Sequence, residues 1–374
     1  MQPEQIPPDK TLEPFVLEHT NPSTKGKVIV LGGGWYGCTI ASGLISRGYE
    51  VELHDIASVL FAGASGSNPA RLHLGFHYPR SRLTRVHCQE HQAAFMKRFG
   101  HLTSAVPINI YAIAANESYV DFGNYVQTLR GEVEFVTIHD PEEFGLYNVE
   151  GAVLTGERHV IIERARAHFN KVLEGHIHLN SVSSCLIDAK IWGDDTWVID
   201  CTFCARDSAN VDRYEPCLTA LMDGPSNKAV TIMDGPFPSL YPWNEDAGLV
   251  SLTSAKFTPF GRVKTWAEAK ALLEGLTRKQ IFERASQMIE QMAFYYPAVK
   301  QYYYVTDCLL GIRAMPKSGA DARLVDIVKI GERSLRVRAG KIDAVLYAEE
   351  EIARMISPDG VAYKKPTNGG IQLC

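Results

Sequence analysis

Three glycines near the start of the chain have the spacing that most directly predicts chemistry. Gly32, Gly34 and Gly37 form the pattern G-x-G-x-x-G. The first glycine allows a tight turn, the second lets the backbone approach a pyrophosphate, and the third lets the next helix pack against the preceding strand. Asp55 follows about twenty residues later, where a carboxylate can bind the hydroxyls of an adenosine ribose. The pattern predicts a dinucleotide site and leaves both FAD and NAD open.

A second group of polar residues follows in the segment 65–85. Ser65, Gly66, Ser67 and Asn68 offer hydroxyl, amide and backbone donors. A long irregular segment in a compact domain is usually functional, and residues 72–78 alternate apolar and polar like a strand entering an interior. We therefore interpret the segment as part of a site, with a solvated basic surface as the alternative. Its cations and aromatic residues are Arg71, His73, His77, Tyr78, Arg80, Arg82 and Arg85.

The glycine pattern lies in a complete strand, loop, helix and strand over residues 27–55. The apolar run 28–31 is typical of a parallel strand buried on both faces. The following helix has an apolar stripe and ends at Gly48, a natural C-terminal cap. Because free N–H groups and the helix dipole favour an anion at a helix N-terminus, this helix is predicted to begin at the phosphates.

Composition limits the classes of protein to which this chain can belong. It has 374 residues and a formal charge of −5, which suits two domains and argues against nucleic acid as a partner. Its eight cysteines are scattered rather than dense, which favours a reducing compartment. No signal peptide and no apolar run of the roughly twenty residues that span a membrane is found, so we predict a cytoplasmic protein.

The order of the segments predicts an α/β fold, α+β overall, with discontinuous domains. Residues 26–87, 155–215 and 305–356 are assigned to a nucleotide-binding domain, and residues 88–154 and 216–304 to a β-rich substrate domain. Residues 1–25 and 357–374 lack periodicity and are predicted to be a flexible arm and a loose tail. The CTFC segment at 201–204 has no second ligand pair, so no metal site is predicted.

This order of segments resembles the D-amino-acid oxidase superfamily of FAD enzymes, with relatives of glycine and sarcosine oxidase and of L-2-hydroxyglutarate dehydrogenase. The resemblance covers roughly residues 26–356 and includes a GASGSN loop, a GIRA turn, and a final strand, glycine and helix. It implies a Rossmann-like FAD-binding domain with an inserted antiparallel β-sheet substrate domain, and FAD as the cofactor. The residues that match the family pattern G-x-G-x-x-G-x-x-x-A-x-x-L-x-x-x-G-x-x-V are Gly32, Gly34, Gly37, Ala41, Leu44, Gly48 and Val51, with Asp55 after them.

The resemblance also implies which residues bind FAD. SGSNPARLHLGFHY is similar to the loop that such enzymes run along the flavin, and RVRAGKIDAV to the turn that faces the flavin N1 and O2 edge. Lys341 could stabilise negative charge there, with a solvent-exposed lysine at a helix start as the alternative. The implied FAD contacts are Gly32, Gly34, Tyr36, Gly37, Asp55, Ser65, Gly66, Asn68, Arg71, His73, Val182, Thr202, Gly311, Gly340, Lys341 and Ile342.

Two further residues resemble catalytic positions of the family. Arg313 is similar to the arginine with which glycine oxidase and D-amino-acid oxidase hold a substrate carboxylate, a role that suits its planar fork. A salt bridge to Asp307 or Asp321 is the alternative. Lys256 falls near the strand where sarcosine oxidase-like members carry a lysine that helps oxygen react, and an edge-strand lysine is its alternative.

The histidines decide which substrate class is predicted. An alcohol needs its hydroxyl proton removed, whereas a neutral amine can donate a hydride without a base. His73 and His77 are available as bases, although either could instead bond the flavin or fill the core.

The predicted function is hydride transfer from the C–N bond of a small amine or amino acid to FAD, with oxygen or another acceptor reoxidising it. The alternatives are a 2-hydroxy acid dehydrogenase and a nucleotide-binding protein without turnover. The arginines of 71–85 favour an anionic small-molecule substrate.

Overall fold

The computed structural model describes residues 25–181, 191–193, 195–202, 211–316 and 325–357. The predicted flexible arm and loose tail lie almost entirely outside these residues. The strands are β1 (Lys27–Leu31), β2 (Glu50–His54), β3 (Arg71–Leu72), β4 (Thr103–Ala105), β5 (Ile108–Ala114), β6 (Phe135–Ile138), β7 (Val149–Thr155), β8 (Arg158–Val160), β9 (Ile177–His178), β10 (Trp197–Asp200), β11 (Val211–Asp223), β12 (Lys228–Met233), β13 (Pro238–Asn244), β14 (Leu249–Ser254), β15 (Tyr304–Pro316), β16 (Asp326–Gly331) and β17 (Ser334–Arg338). The helices are α1 (Trp35–Ser46), α2 (Ala64–Ser67), α3 (Arg82–Phe99), α4 (Phe122–Leu129), α5 (Ile162–Val172), α6 (Trp266–Glu274), α7 (Arg278–Tyr295), α8 (Val299–Tyr302) and α9 (Val345–Ile356).

The first sheet is a six-stranded sheet in the order β16-β17-β10-β1-β2-β9. Its strands are parallel except for the antiparallel pair β16 and β17. Helix α1 connects β1 to the neighbouring parallel strand β2, which is the crossover of a nucleotide-binding unit. This sheet confirms the α/β prediction and the Rossmann-like part of it.

The turn between β1 and α1 depends on two of its glycines. Gly32 has φ +105°, a left-handed conformation that favours glycine. At Gly37 an added Cβ would lie 1.8 Å from the Gly32 carbonyl oxygen, so α1 can approach the turn only without a side chain there. Both glycines therefore have the backbone roles predicted from their spacing.

The second sheet is an eight-stranded sheet in the order β15-β11-β14-β13-β12-β5-β7-β6. It is antiparallel apart from the pair β5 and β12, which run parallel. A small antiparallel sheet, β3-β8-β4, lies in addition to these two. The predicted antiparallel insertion is thus a mixed sheet with one parallel pair.

Two segments lie in different layers from those predicted. Residues 305–316 were assigned to the nucleotide-binding domain, but they form β15, which pairs with β11 over almost its full length in the eight-stranded sheet. Residues 88–99 were assigned to the substrate domain, but they end α3, whose Phe95 and Phe99 pack against Trp35 of α1. In both places, contacts with residues distant in the sequence determine where the segment packs. The division of the chain into two domains stays a prediction.

Each large sheet has its own apolar core. The six-stranded sheet packs with α1, α3, α5 and α9. The eight-stranded sheet packs with α7, whose Met288 and Met292 are fully buried there. Among the described residues no helix is both long and apolar enough to cross a membrane.

A buried carboxylate joins three helices beneath the six-stranded sheet. Glu349 of α9 is 2% exposed and accepts hydrogen bonds from Arg47, which follows α1, and from Arg98 of α3. An added Cβ at Gly43 of α1 would lie 2.0 Å from the same carboxylate, so α1 and α9 pack closely here. The glutamate therefore helps to hold the helix that carries the glycine turn.

Replacing Glu349 with alanine should lower the free energy of unfolding by about 3 kcal/mol, because two arginines lose their shared, desolvated partner. Urea unfolding followed by tryptophan fluorescence measures this. Glu350→Ala, on the exposed face of the same helix, is the matched control and should change stability by less than about 0.5 kcal/mol. Equal losses in the two variants would contradict the structural role of Glu349.

Candidate active site

A cavity of about 1360 Å³ is lined by residues from both large sheets. One part of its wall is the glycine turn with Gly32, Gly34 and Asp55, and another part is β15 with Arg313. Cavities that bind one drug-sized molecule usually measure about 300–1,000 Å³. This cavity therefore has room for a dinucleotide together with a second small molecule.

The dinucleotide end of the cavity brings together Gly34, Asp55 and Ser65. The Asp55 carboxylate accepts hydrogen bonds from the N–H groups of Gly33 at 2.5 Å and Ala57 at 2.8 Å. The Ser65 hydroxyl accepts one from the N–H of Trp35 at 3.1 Å. An added Cβ at Gly34 would lie 2.7 Å from that hydroxyl, so a side chain at this position would collide with Ser65.

These groups fit a dinucleotide. The first turn of α1 has no acidic residue and its N-cap Gly34 has no side chain. Apart from the Trp35 N–H that bonds Ser65, its N-terminal N–H groups and its dipole are therefore available to an anion such as a pyrophosphate. A carboxylate has about four acceptor positions, so Asp55 keeps some for ribose hydroxyls beside its two backbone bonds. Thr202 lies at the same end, where its N–H and hydroxyl both bond Asp200. Val182 lies outside the described residues.

Two predicted FAD-binding residues of the loop that follows, Gly66 and Asn68, have contacts within that loop. The Asn68 amide bonds the Ala64 carbonyl at 2.6 Å and the Ala70 N–H at 2.7 Å, which shapes the end of α2. An added Cβ at Gly66 would lie 1.9 Å from a carbonyl oxygen, that of Phe61, and Gly66 does not line the cavity. Asn68 does line it, beside Ser65.

Arg71 and Gly311 join this loop to the eight-stranded sheet. Arg71 is buried, donates to the hydroxyls of Thr231 and Ser239, and lies 4.4 Å from the centre of the Tyr241 ring. An added Cβ at Gly311 would lie 2.4 Å from the Ser67 hydroxyl, so β15 packs directly against α2. Both Arg71 and Gly311 line the cavity.

The turn at residues 340–342 is fixed by Tyr36. The Tyr36 hydroxyl donates to the Lys341 carbonyl at 2.6 Å and accepts from the Gly340 N–H at 3.1 Å. Burial raises the pKa of Tyr36 far above its usual value, so it remains a donor. Ile342 begins a 3-10 turn, Ile342–Ala344, and α9 follows it. Four predicted FAD contacts thus meet at the cavity from distant parts of the chain. They are Tyr36, Gly340, Lys341 and Ile342.

The Lys341 ammonium lies against groups from the arginine-rich segment and α3. Its Nζ is 3.1 Å from the centre of the Tyr78 ring and 3.1 Å from the Cys88 sulfur. Burial acts to lower the pKa of Lys341, but Tyr78, Cys88 and Asp343 outweigh it and raise that pKa, so the ammonium stays charged. The structure therefore places a half-buried cation at the cavity rather than a solvent-exposed lysine.

His73 lies at the cavity with a strongly perturbed imidazole. Its side chain is 15% exposed, and its Nδ1 lies 3.6 Å from a carboxylate oxygen of Glu157, longer than a hydrogen bond. Burial, and then the charge of Lys341, lower the pKa of His73 to about 4. The imidazole is therefore neutral at physiological pH and able to accept a proton.

Glu157 was missed by the sequence analysis. It lies in the turn between β7 and β8, its side chain is fully buried, and it accepts hydrogen bonds from the Tyr111 hydroxyl at 2.5 Å and the Leu74 N–H at 2.7 Å. Burial acts to raise the pKa of Glu157, but His73, Tyr111 and Leu74 lower it overall, so it is charged. No local pattern distinguishes a buried glutamate in a short turn from an exposed one.

The remaining residues of the basic segment separate into two groups. His77 and Arg80 line the cavity, with the His77 ring 5.8 Å from that of His73 and Arg80 Nε 2.5 Å from Asp234. Arg82 and Arg85 do not line it, because both pair with Glu132. The arginines of this segment therefore do not converge on one anion site.

Arg313 forms a salt bridge inside the protein. Its Nε and Nη2 both donate to one carboxylate oxygen of Glu215, a residue that is 2% exposed, and the other oxygen accepts from Arg213 at 2.8 Å. The alternative of a salt bridge was correct in kind, with Glu215 in place of Asp307 as the partner; Asp321 lies outside the described residues. Arg313 still lines the cavity.

Lys256 is not brought to the other predicted residues. It is exposed and does not line the cavity, and its Nζ lies 5.2 Å from the centre of the neighbouring Phe257 ring. Lys256 follows the end of β14 at Ser254, where the chain leaves the sheet. The other residues predicted to act on substrate, His73, His77 and Arg313, all line the cavity.

One group of potential metal ligands occurs in the described parts of the chain. Glu52, His54 and His178 have ligand atoms within 4.8 Å of one another. Lys27 Nζ is 2.6 Å from the Glu52 carboxylate, a cation that opposes metal binding there. This group does not line the cavity.

Comparison with known proteins identifies the family. No protein-family model matches the chain. It is 32% identical over 346 residues to the FAD-dependent monooxygenase FPY4 of Fusarium mangiferae, covering 91% of this chain and 92% of that one. It is 25% identical over 372 residues to the FAD-dependent monooxygenase kojA of Aspergillus flavus, covering 90% and 86%.

Among solved structures, glycine oxidase from Geobacillus kaustophilus has the same fold, with a TM-score of 0.64 and 17% identity over 88% of this chain and 95% of that one. The prediction of FAD as the cofactor is confirmed, as is that of an oxidoreductase. The chain belongs to the family of FAD-dependent oxidoreductases that includes FPY4, and it has the fold of glycine oxidase, in agreement with the resemblance seen in the sequence.

Proposed function

We propose that this enzyme oxidises a small molecule at a carbon that bears a hydroxyl group, with His73 as the base that takes the hydroxyl proton. The observation that carries the proposal is the neutral His73 imidazole at the cavity with the buried Glu157 carboxylate behind it at 3.6 Å. When bound, FAD supplies the acceptor for the hydride. Gly34, Ser65 and Asp55 would hold its nucleotide part, and the turn at 340–342 would face the reacting part.

The charges around His73 suit proton transfer from a hydroxyl. Glu157 stabilises the imidazolium that forms, because a negative charge in a buried site acts strongly on its neighbour. The Lys341 ammonium, which acts on His73 strongly enough to lower its pKa, favours the alkoxide form of a substrate held beside it. Tyr111 keeps Glu157 in position by donating to it.

Oxidation of a C–N bond is the reaction that the sequence favoured, and it stays a prediction. An amino acid substrate needs a cation for its carboxylate, and Arg313 is already paired with Glu215. A neutral amine needs no base, so the His73 and Glu157 pair would have no role in its oxidation.

A monooxygenase is the second candidate, favoured by the names of the relatives FPY4 and kojA. Such an enzyme takes its electrons from a separate reductant and transfers one atom of O₂ to its product. In the proposed oxidase or dehydrogenase, the substrate itself supplies the electrons, and oxygen or another acceptor removes them.

Anaerobic mixing distinguishes these reactions. The purified holoenzyme is mixed without oxygen with alcohols, polyols and sugars, with glycine and sarcosine, or with NADH and NADPH. We expect a hydroxyl compound to bleach the oxidised flavin absorbance, and the amines and nicotinamides to leave it unchanged. Bleaching by sarcosine would support the C–N reaction, and bleaching by NADPH with transfer of ¹⁸O from ¹⁸O₂ to a product would support the monooxygenase.

Substitution of the two histidines tests which one is the base. His73→Gln should slow flavin reduction by the hydroxyl substrate about 10²–10⁴-fold, the usual contribution of a general base. His77→Gln, in the same cavity, is the matched control and should slow it less than about ten-fold. Stopped-flow absorbance measures both, with FAD content as the check on folding. A larger loss at His77 would contradict the assignment.

The pH dependence tests the role of Glu157. Because His73 must be neutral to accept a proton and its pKa is about 4, the reduction rate should be constant above about pH 5.5 and fall as the pH drops through 4. Glu157 raises the pKa of His73, so Glu157→Gln should move this decline to lower pH and slow reduction about ten-fold. Tyr111→Phe leaves the carboxylate charged and should keep the decline where it is. An unchanged decline in Glu157→Gln would mean that Glu157 is merely structural.

A further inference from the structure

The pairing of Arg313 with Glu215 restricts which substrates the cavity can hold. The two residues are cross-strand neighbours in register on β11 and β15, so the strand pairing itself brings them together. Nε and Nη2 of Arg313 both donate to one oxygen of Glu215. These bonds use two of the five N–H groups of the guanidinium. Among the hydrogen bonds that the described residues form, the second N–H of Nη2 and both N–H groups of Nη1 remain for a group in the cavity.

A substrate carboxylate would compete poorly for Arg313. Glu215 is held in place by the sheet, so its effective concentration at the guanidinium exceeds that of any dissolved carboxylate. A second carboxylate on the remaining Nη1 and Nη2 donors would also lie near the buried charge of Glu215, and like charges repel. The charge of the cation that the family resemblance assigned to a substrate carboxylate is therefore offset from within the chain by Glu215, which also accepts a hydrogen bond from Arg213.

The wall of the cavity on the eight-stranded sheet offers neutral hydrogen-bonding groups instead. Thr231, Ser239 and Ser254 form hydrogen bonds within the protein. The Thr219 hydroxyl donates to the Ser67 carbonyl and can still accept, and the Thr258 hydroxyl accepts from the Ser254 N–H and can still donate. A substrate with several hydroxyl or carbonyl oxygens can use both kinds of group. Arg71, which also lines the wall, is buried against the hydroxyls of Thr231 and Ser239 and is not exposed as an anion site. The hydroxyl-bearing residues that line the cavity from this sheet and the loop after β14 are Thr219, Thr231, Ser239, Thr253, Ser254 and Thr258.

A further arginine near Arg313, Arg262, does not change the preference for a neutral substrate. Arg262 lines the cavity and lies 3.5 Å from the Glu215 carboxylate, but its side chain is 71% exposed. Charges in contact with water interact weakly, with a typical pair contributing about 0–1 kcal/mol.

We infer that the cavity takes a neutral, polyhydroxylated substrate, and that Glu215 determines this specificity by occupying the guanidinium of Arg313. The inference rests on the proposed oxidation of a hydroxyl-bearing carbon and names its substrate class. It replaces the anionic substrate that the density of arginines in the sequence suggested. Glu215 is a specificity residue here and does not take part in the reaction.

Carboxylate binding can be measured without turnover. The holoenzyme is titrated with sodium acetate, with acetamide as the neutral probe and sodium chloride at equal ionic strength, while the flavin absorbance is recorded. We expect acetate to cause no saturable change in the wild type up to about 100 mM. Glu215→Gln keeps the shape of the side chain and releases Arg313, so it should bind acetate at least ten-fold more tightly than the wild type.

Asp212→Asn is the matched control for this substitution. It removes one negative charge from the same strand, at a residue paired with Arg213 rather than Arg313, and should leave acetate binding as in the wild type. A saturable acetate effect in the wild type that Arg313→Gln abolishes would overturn the inference, and this result does not depend on the folding of Glu215→Gln. A gain in Asp212→Asn equal to that in Glu215→Gln would also overturn it.

A paired substrate test separates this inference from the proposed function. The wild type is reduced anaerobically with glycerol and glucose and with their acidic counterparts glycerate and gluconate. We expect the neutral member of each pair to reduce the flavin at least ten times faster, and faster reduction by the acids would contradict the substrate class. Reduction by none of the four would count against the proposed function, and the acetate titration would still decide the role of Glu215.

Discussion

The buried carboxylate of Glu157 is the constraint on which the geometry of the site depends. A charge that is fully removed from water must be compensated by donors, and here the donors come from separate parts of the chain. The Leu74 N–H belongs to the segment that leaves the nucleotide-binding unit, and the Tyr111 hydroxyl belongs to β5 of the eight-stranded sheet. Since both must reach one carboxylate, the segment that carries His73 is fixed against the sheet that forms the substrate wall.

Internal ion pairs determine how much positive charge the cavity presents. Arg80 pairs with Asp234, and Arg313 with Glu215. Lys341 differs from both, because its neighbours are an aromatic ring and a thiol rather than an ionised carboxylate held at salt-bridge distance. Among the described residues, Lys341 and Arg71 are thus cavity cations that form no salt bridge, and Lys341 acts on His73, where negative charge develops during removal of a hydroxyl proton. Electrostatics at the cavity therefore favour the reaction more than they favour binding of an anion.

The parts of the structure that could be predicted from the sequence are those that local backbone requirements determine. The turn at Gly32 and the approach of α1 at Gly37 need glycine because of the backbone close to them in the sequence. The spacing of the glycines was therefore sufficient to predict both roles. The pairing of charges was not predictable in this way. Arg85 meets Glu132 from 47 positions away and Arg313 meets Glu215 from 98, and only the folded sheets bring these partners together. The dense arginines consequently suggested an anion site that the structure does not assemble. The pairing of residues 305–316 with β11 is likewise a long-range contact that no local pattern indicates.

This difference between backbone and side-chain recognition explains how one fold can serve different substrates. The nucleotide end of the cavity is formed by a glycine turn, N–H groups and the start of α1, which tolerate replacement of most surrounding side chains. Glycine oxidase has the same fold at only 17% identity. The substrate wall consists of side chains on the eight-stranded sheet, where a residue such as Glu215 can alter the charge of the cavity while its strand keeps the same pairing with β15. The fold can therefore persist among such proteins while the substrate class changes through a few cross-strand pairs.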